Sequence, residues 1–319
     1  MDKPSVLLID TMHPLLTSLL QEGGCKVVEG YTWSREEVIR RISEFAAIAI
    51  RSRFKIDADF IRQSQGLSCI ARAGAGMENI DTEAAITAGI VCVNAPEGNS
   101  TAVGEHALGM LLALNNHLIR ADAEVRRGMW RREENRGQEL EGKTVAIIGF
   151  GNMGKSFAKR LRGLEVQQLV YDPYIKVDSA TFPFVEQCDM KKIFEEADVV
   201  SLHIPLSSET TYLVNEDWIN AFKKNFILIN TARGKNVNTA ALCEGLKTGK
   251  ISGAALDVLE YESISFEHIE SSALPAPFQY LIQAENVLLS PHIGGWTHES
   301  NEKIASILAK KILKAIGKV

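Results

Sequence analysis

The 319-residue chain is long enough for about two domains with separate cores, and its 45% apolar and 24% charged residues are those of an ordinary globular protein. A formal net charge of −5 provides no electrostatic footprint for nucleic acid or for an anionic membrane. Any anionic substrate must therefore be held by local cations.

Met1-Asp2-Lys3-Pro4 runs straight into a strand-like segment and lacks the layout of a signal peptide. Ser5 to Asp10, Lys26 to Tyr31, Ala46 to Arg51, Ser68 to Ala71 and Ile90 to Asn94 read as strands, with amphipathic stretches such as Asp57 to Gln65 and Asp81 to Ala88 between them. This alternation predicts a parallel sheet, and open sheets of that kind bind ligands at the C-terminal ends of their strands. Three loops there carry polar groups: Arg51-Ser52-Arg53-Phe54-Lys55, Arg72-Ala73-Gly74-Ala75-Gly76, and Asn94 to Asn99. Gly74 and Gly76 would let backbone N–H groups face an anion on which Arg51, Ser52, Lys55 and Arg72 converge.

Asn99-Ser100-Thr101 offers N-cap chemistry for a long helix running to about Arg127. Val103, Ala107, Met110, Leu111, Leu114 and Leu118 share one of its faces, so it should be deeply buried between domains or subunits. Glu105 and His106 within it read as structural. The charged stretch from Trp130 to Arg136 is either solvated surface or an arm toward a partner subunit. The longest apolar run, within Ala107 to Leu114, is too short to span a bilayer.

Thr144 to Ile148 is an apolar run too short for a helix, and it leads into Gly149-Phe150-Gly151-Asn152-Met153-Gly154 and a helical apolar period through Phe157, Ala158 and Leu161. Strand, tight turn and helix with G-x-G-x-x-G is the arrangement that seats a pyrophosphate on a helix N-terminus. A second strand, Val166 to Tyr171, ends at Asp172, near the offset at which a carboxylate binds the adenosine ribose. An anion there repels a 2′-phosphate, so NAD is favoured over NADP.

Further strands at Asp198 to Ile204, Phe226 to Thr231, Gly253 to Leu259 and Asn286 to Ser290 each end in polar sequence: His203-Ile204-Pro205, Thr231-Ala232-Arg233-Gly234, Asp257 with Glu260 and Glu262, and Pro291-His292-Ile293-Gly294. Thr297 caps a last helix with Ile304, Ile307, Leu308, Ile312 and Leu313 at helical spacing, which should pack back on the N-terminal domain. The expected organisation is α/β with two doubly wound parallel sheets: a discontinuous, flavodoxin-like substrate domain of residues 1–99 plus 293–319, and a Rossmann NAD-binding domain of residues 100–292. The five scattered cysteines (Cys25, Cys69, Cys92, Cys188, Cys243) form no C-x-x-C pair and read as reduced core thiols of a cytoplasmic protein, and no ligand cluster implies a metal.

Arg72 to Gly76 with Asn79-Ile80-Asp81, Asn94 to Ser100, the glycine motif, Thr231 to Gly234, Ala255 to Val258 and Pro291 to Gly294 together resemble the D-isomer-specific 2-hydroxyacid dehydrogenase family over nearly the full length. The resemblance implies an NAD-dependent enzyme with Arg233, Glu262 and His292 as catalytic residues. It also implies NAD contacts at Gly149, Gly151, Asn152, Met153, Gly154, Asp172, Pro205, Thr231, Ala232, Arg233, Asp257, His292 and Gly294, with Asp257 on the nicotinamide carboxamide. Arg51-Ser52, Lys55-Ile56, Ala58-Asp59 and Pro96 to Ser100 are most similar to a branch whose substrate carries a phosphate, which Arg51, Ser52, Lys55, Arg72, Gly74, Ala75 and Gly76 would hold, with Arg132 reaching in from a second subunit of a homodimer.

The residue chemistry suits those roles. A guanidinium offers two parallel donors to a substrate carboxylate, and an imidazole, with an unperturbed pKa of about 6.5, serves as base in oxidation and acid in reduction. Glu262 would orient that imidazole, although Ser263 replaces the family's usual proline and the segment from Tyr261 to Gln283 is longer than usual, which leaves Glu260 as a competitor. Reduction of another 2-keto acid such as glyoxylate or hydroxypyruvate is the alternative activity, and an NADH-sensing scaffold is the alternative class.

Overall fold

The computed structural model describes residues 3–262 and 274–318. The chain divides into two compact units, one built from residues up to Ser100 together with those from Trp296 onward, the other starting at Thr101 and closing at Gly295.

The first unit holds a five-stranded sheet of β1 (Ser5–Leu8), β2 (Lys26–Glu29), β3 (Ala47–Ile50), β4 (Cys69–Arg72) and β5 (Val91–Asn94) in the order β2-β1-β3-β4-β5. Every pairing is parallel. That is the flavodoxin-like order, and it follows from strands such as Ala-Ile-Ala-Ile in β3 that are buried at every residue. Helix Pro14–Glu22 and the terminal helix His298–Ala315 cover one face, where Leu16 and Leu20 meet Leu308, Ala309, Ile312 and Leu313 over Val6 and Leu8. Thr297 caps the terminal helix as expected: its Oγ1 accepts the Ser300 N–H while the Ser300 hydroxyl accepts the Thr297 N–H, both at 3.0 Å.

The second unit holds a seven-stranded sheet of β6 (Thr144–Ile148), β7 (Gln167–Tyr171), β8 (Glu186–Gln187), β9 (Val199–Leu202), β10 (Phe226–Asn230), β11 (Ile251–Leu256) and β12 (Val287–Leu289), ordered β12-β11-β10-β9-β6-β7-β8. All pairings are again parallel. Order reverses at β6, the strand that feeds the glycine turn, so the switch point of a Rossmann sheet lies where a dinucleotide is expected. The two α/β sheets are thus the fold class read from the sequence; most strands are one or two residues shorter at an end, β4 is shifted by one residue, β11 begins two residues and ends three residues earlier than expected, and the two-residue β8 was not expected.

One predicted element differs. Instead of a single helix from Asn99 to Arg127, there is a helix Pro96–Asn115 and a second, Leu118–Arg126. Pro96 takes the first helical position, where its missing N–H costs nothing and its fixed φ suits the helix, so the Asn99-Ser100-Thr101 cap is inside the helix rather than at its start. His117 breaks the run with a left-handed φ of 51°. Past that break Leu118 is 53% exposed, while Val103, Ala107, Met110, Leu111 and Leu114 remain buried. Among the described residues no helix is long and apolar enough to cross a membrane, and no group of three His, Cys, Asp or Glu side chains is placed to hold a metal ion. All five cysteines are free.

Candidate active site

The glycine turn between β6 and helix Asn152–Arg160 uses its three glycines for three different reasons. Gly149 has φ +91°, and a Cβ there would meet the His203 carbonyl oxygen at 2.5 Å. At Gly154 a Cβ would stand 2.1 Å from the Gly149 carbonyl oxygen, so helix and strand could not close up. A Cβ on Gly151 would meet nothing within 4 Å beyond its own chain neighbours among the described residues, and no side chain caps the helix that it precedes. An open cradle before uncapped N–H groups is the space that a pyrophosphate needs. Asn152 and Met153 form the first helical residues beside it.

Asp172 follows β7 and turns back on this loop. Its Oδ2 accepts the Phe150 N–H at 2.7 Å, and its Oδ1 accepts those of Tyr174 and Ile175, both at 2.9 Å. Two oxygens with about four lone-pair sites retain capacity for ribose hydroxyls. Thr231, just after β10, has a buried Oγ1 with no hydrogen-bond partner among the described residues, an unmet group of the kind that a bound cofactor satisfies. Pro205 follows β9 and is exposed. Cradle, carboxylate and orphaned hydroxyl together fit a dinucleotide.

Beneath the glycine turn lies His203, packed on Phe157 at a ring-centroid distance of 5.3 Å with its Nε2 2.9 Å from Ser201 Oγ. Burial drives its pKa down to about 3. The unfolded chain thus binds a proton that the folded one refuses, so this contribution to stability is complete above about pH 6.5 and is lost as pH falls toward the folded value. Chemical denaturation between pH 7 and pH 4 should show a stability loss in the parent protein that is smaller in His203→Gln.

On the next strands, the turn after β10 is tied by Asn230, whose Nδ2 donates to the Arg233 carbonyl at 2.9 Å and whose Oδ1 accepts the Ala232 N–H at 3.0 Å. A Cβ on Gly234 would fall 2.0 Å from the Leu259 carbonyl, so only glycine lets the Arg233 turn lie against the segment leading to Glu262. Arg233 is half-buried, and its Nη1 donates to the Ala232 carbonyl at 2.6 Å.

His292 is set against Glu262, with Nδ1 2.7 Å from Oε2. Glu260, the competitor left open by the sequence, is engaged elsewhere: it accepts the Tyr212 hydroxyl at 2.7 Å, and the Thr239 N–H and hydroxyl at 3.1 and 2.6 Å. Residues 263–273 of the extension from Tyr261 to Gln283 lie outside the described residues. Asp257, expected at the nicotinamide carboxamide, has a side chain only 2% exposed and directs its carboxylate into the protein, onto Ser290, Ile293, Gly294 and His106. Burial raises the pKa of this carboxyl, but the hydrogen bonds from His106, Ser290, Gly294 and Ile293 outweigh it and hold the value below the usual range.

Arg51, Ser52, Lys55, Arg72, Gly74, Ala75 and Gly76 all belong to the first unit: Arg72 ends β4, and the others lie on the loops after β3 and β4. The Arg51 N–H donates to Asp10 Oδ2, and its carbonyl accepts from Asn79. A contact without a sequence signal joins the Arg51 guanidinium to the Trp296 ring, 4.1 Å from its centroid. Gly74, at φ +148°, makes room for Arg72: a Cβ there would sit 1.7 Å from the arginine Nη1. Lys55 is exposed. Arg53, in the same loop, is structural, with Nη1 tying the Ile9 and Gly30 carbonyls at 2.9 and 3.1 Å.

Comparison with known proteins agrees with this geometry. Residues 108–294 match the model of the D-isomer specific 2-hydroxyacid dehydrogenase NAD binding domain. Over 308 residues the chain is 36% identical to the D-3-phosphoglycerate dehydrogenase of Archaeoglobus fulgidus, covering 97% of this chain but 56% of that protein, so it spans little more than half the relative's length. It is also 36% identical to the hydroxypyruvate reductase of Thermotoga maritima, over 89% of each. A D-lactate dehydrogenase from Aquifex aeolicus, solved with NAD and lactic acid, superimposes with a TM-score of 0.83 at 26% identity, covering 98% of this chain and 95% of that one. The chain belongs to the D-isomer specific 2-hydroxyacid dehydrogenase family of NAD-dependent oxidoreductases.

Proposed function

We propose that the protein oxidises D-3-phosphoglycerate to 3-phosphohydroxypyruvate with NAD, the first step of serine biosynthesis. The observation that carries the dehydrogenase reading is the 2.7 Å contact of His292 Nδ1 with Glu262, on a segment against which Gly234 packs the Arg233 turn. Bound NAD supplies the hydride acceptor. The chain does the rest: Gly149, Gly151, Asn152, Met153 and Gly154 cradle the pyrophosphate, Asp172 takes the ribose, and Pro205, Thr231, Ala232 and Gly294 line the remainder of the cofactor. Arg233 clamps the substrate carboxylate through parallel N–H donors. Glu262 accepts a hydrogen bond from His292 Nδ1–H, which sets the tautomer in which Nε2 takes the substrate's hydroxyl proton.

The phosphate falls to Arg51, Ser52, Lys55 and Arg72, with backbone N–H groups at Gly74, Ala75 and Gly76. Similarity to phosphoglycerate dehydrogenases and the stacked Arg51 support this choice. Equal identity to a hydroxypyruvate reductase supports the second reading, a reductase of an unphosphorylated 2-keto acid. Steady-state reduction of phosphohydroxypyruvate and hydroxypyruvate separates them. A charge-assisted hydrogen bond is worth about 1.5–3 kcal/mol, so Arg51→Ala or Lys55→Ala should raise KM for the phosphorylated acid about 10–100-fold and leave the other nearly unchanged. Equal effects on both acids favour the second reading, and absence of turnover with either favours an NADH-sensing scaffold.

A homodimer forms part of the same proposal. Its support is a run of exposed apolar side chains, Leu118 at 53%, Ile119 at 64%, Val125 at 51% and Trp130 at 78%. The free cysteines support a cytoplasmic location.

A further inference from the structure

Two segments of the first unit, far apart in the chain, meet where Arg51 stacks on Trp296. Arg51 follows β3, and its backbone is held from both sides: the N–H donates to Asp10 Oδ2 at 2.5 Å, and the carbonyl accepts from Asn79 Nδ2 at 3.2 Å. Trp296 stands directly before Thr297, whose reciprocal hydrogen bonds with Ser300 start the terminal helix. Both main chains are therefore fixed close to these side chains. The arginine Cζ lies over the indole, 4.1 Å from the ring centroid.

Stacking of this kind occupies one face of the guanidinium. Its five N–H donors lie in the plane of the group and point outward from its edge, so a cation laid flat on a ring keeps its capacity for an oxyanion. An arginine that grips a ligand loses rotamer freedom, and one already stacked has lost part of it before the ligand arrives. Room for a ligand lies alongside, since Arg51 also lines a small pocket with Met12, His13, Ala73 and Asn301. Trp296 is itself 59% exposed, so core packing does not account for an indole at this position.

We propose that Trp296 is a specificity-determining residue: by stacking on Arg51 it orders the guanidinium in advance for the substrate's phosphate, and so favours phosphorylated over unphosphorylated 2-keto acids. This rests on the reading of Arg51 as a phosphate ligand. Trp296 acts through Arg51, as a positioning residue.

The readout is the ratio of two KM values, phosphohydroxypyruvate over hydroxypyruvate, at saturating NADH. A cation–π contact at a partly exposed site is worth a factor of about 3–10 in an equilibrium constant, so Trp296→Ala should raise the ratio about 3–10-fold. The change should lie in KM for the phosphorylated acid rather than in kcat. Trp296→Tyr, which keeps a flat ring, should restore most of the ratio, whereas Trp296→Leu, apolar but without a π face, should not. If Trp296→Ala does not fold, Trp296→Leu carries the same test. A double-mutant cycle completes it: in an Arg51→Ala background the same Trp296 substitution should change the ratio less than about twofold, because the group that the indole orders is gone.

An unchanged ratio in Trp296→Ala, or an effect that persists undiminished without Arg51, would overturn the proposal. So would an equal rise in KM for both acids, which would make the indole a wall against any 2-keto acid. Arg51→Ala is the reference: if it shifts both KM values alike, the phosphate reading itself fails, whereas a selective Arg51→Ala beside a neutral Trp296→Ala fails this inference alone.

Discussion

His292→Gln is expected to lower kcat for keto-acid reduction by about 10²–10⁴-fold, the usual contribution of a positioned general acid, while NADH binding is retained. Glutamine can still hydrogen-bond to Glu262, so the 2.7 Å contact has a successor, but it cannot titrate. The loss therefore reports proton transfer rather than collapse of the turn. Glu262→Gln should be milder, because the imidazole keeps a hydrogen-bond partner and loses only the nearby charge. Rapid-quench or steady-state kinetics at saturating NADH measure both. A His292→Gln enzyme within tenfold of the parent would move the acid to another residue.

The second large effect separates two glycines three positions apart. In Gly154→Ala the new methyl meets the Gly149 backbone oxygen at 2.1 Å, and neither partner is a flexible side-chain end. Overpacking of that kind costs about 1–3 kcal/mol or more, so the variant should melt several degrees lower or fail to fold. In Gly151→Ala the methyl meets no protein atom within 4 Å, so Tm should be unchanged. There the methyl intrudes on the pyrophosphate instead, and NADH Kd should rise about tenfold, equivalent to about 1.4 kcal/mol. Thermal melts with and without NADH check the pair; a Gly151→Ala variant that binds NADH normally would place the pyrophosphate elsewhere.

Much of this was legible in the sequence, for a physical reason: strand-turn-helix units are local. The glycine turn, Asp172 after β7, and Arg233 and His292 after their strands are each set within a few residues of an apolar run. Choices that depend on distant partners were not legible. Glu260 and Glu262 are equivalent on paper, and only the positions of Tyr212 and Thr239 draw Glu260 away. The hydrogen bonds that the Ser290–Gly294 turn makes to the Asp257 carboxylate join residues more than thirty positions apart and leave no mark in either segment. His106 had no signal beyond its place in an apolar helix. The stacking of Trp296 on Arg51 joins residues nearly 250 positions apart, a pairing that no local pattern encodes. The break at His117 was hidden because apolar spacing continues through it, while a left-handed histidine leaves no mark in composition.

The most direct measurement is single-turnover oxidation of 4-deuterated and ordinary NADH by phosphohydroxypyruvate, followed by absorbance from pH 5 to pH 10. If His292 donates the proton as hydride arrives, NADH disappears, the deuterated cofactor reacts more slowly, and the rate falls as pH rises and the ring loses its proton. A rate that shows the isotope effect but ignores pH across that range would contradict the account, and so would bound NADH that no 2-keto acid consumes.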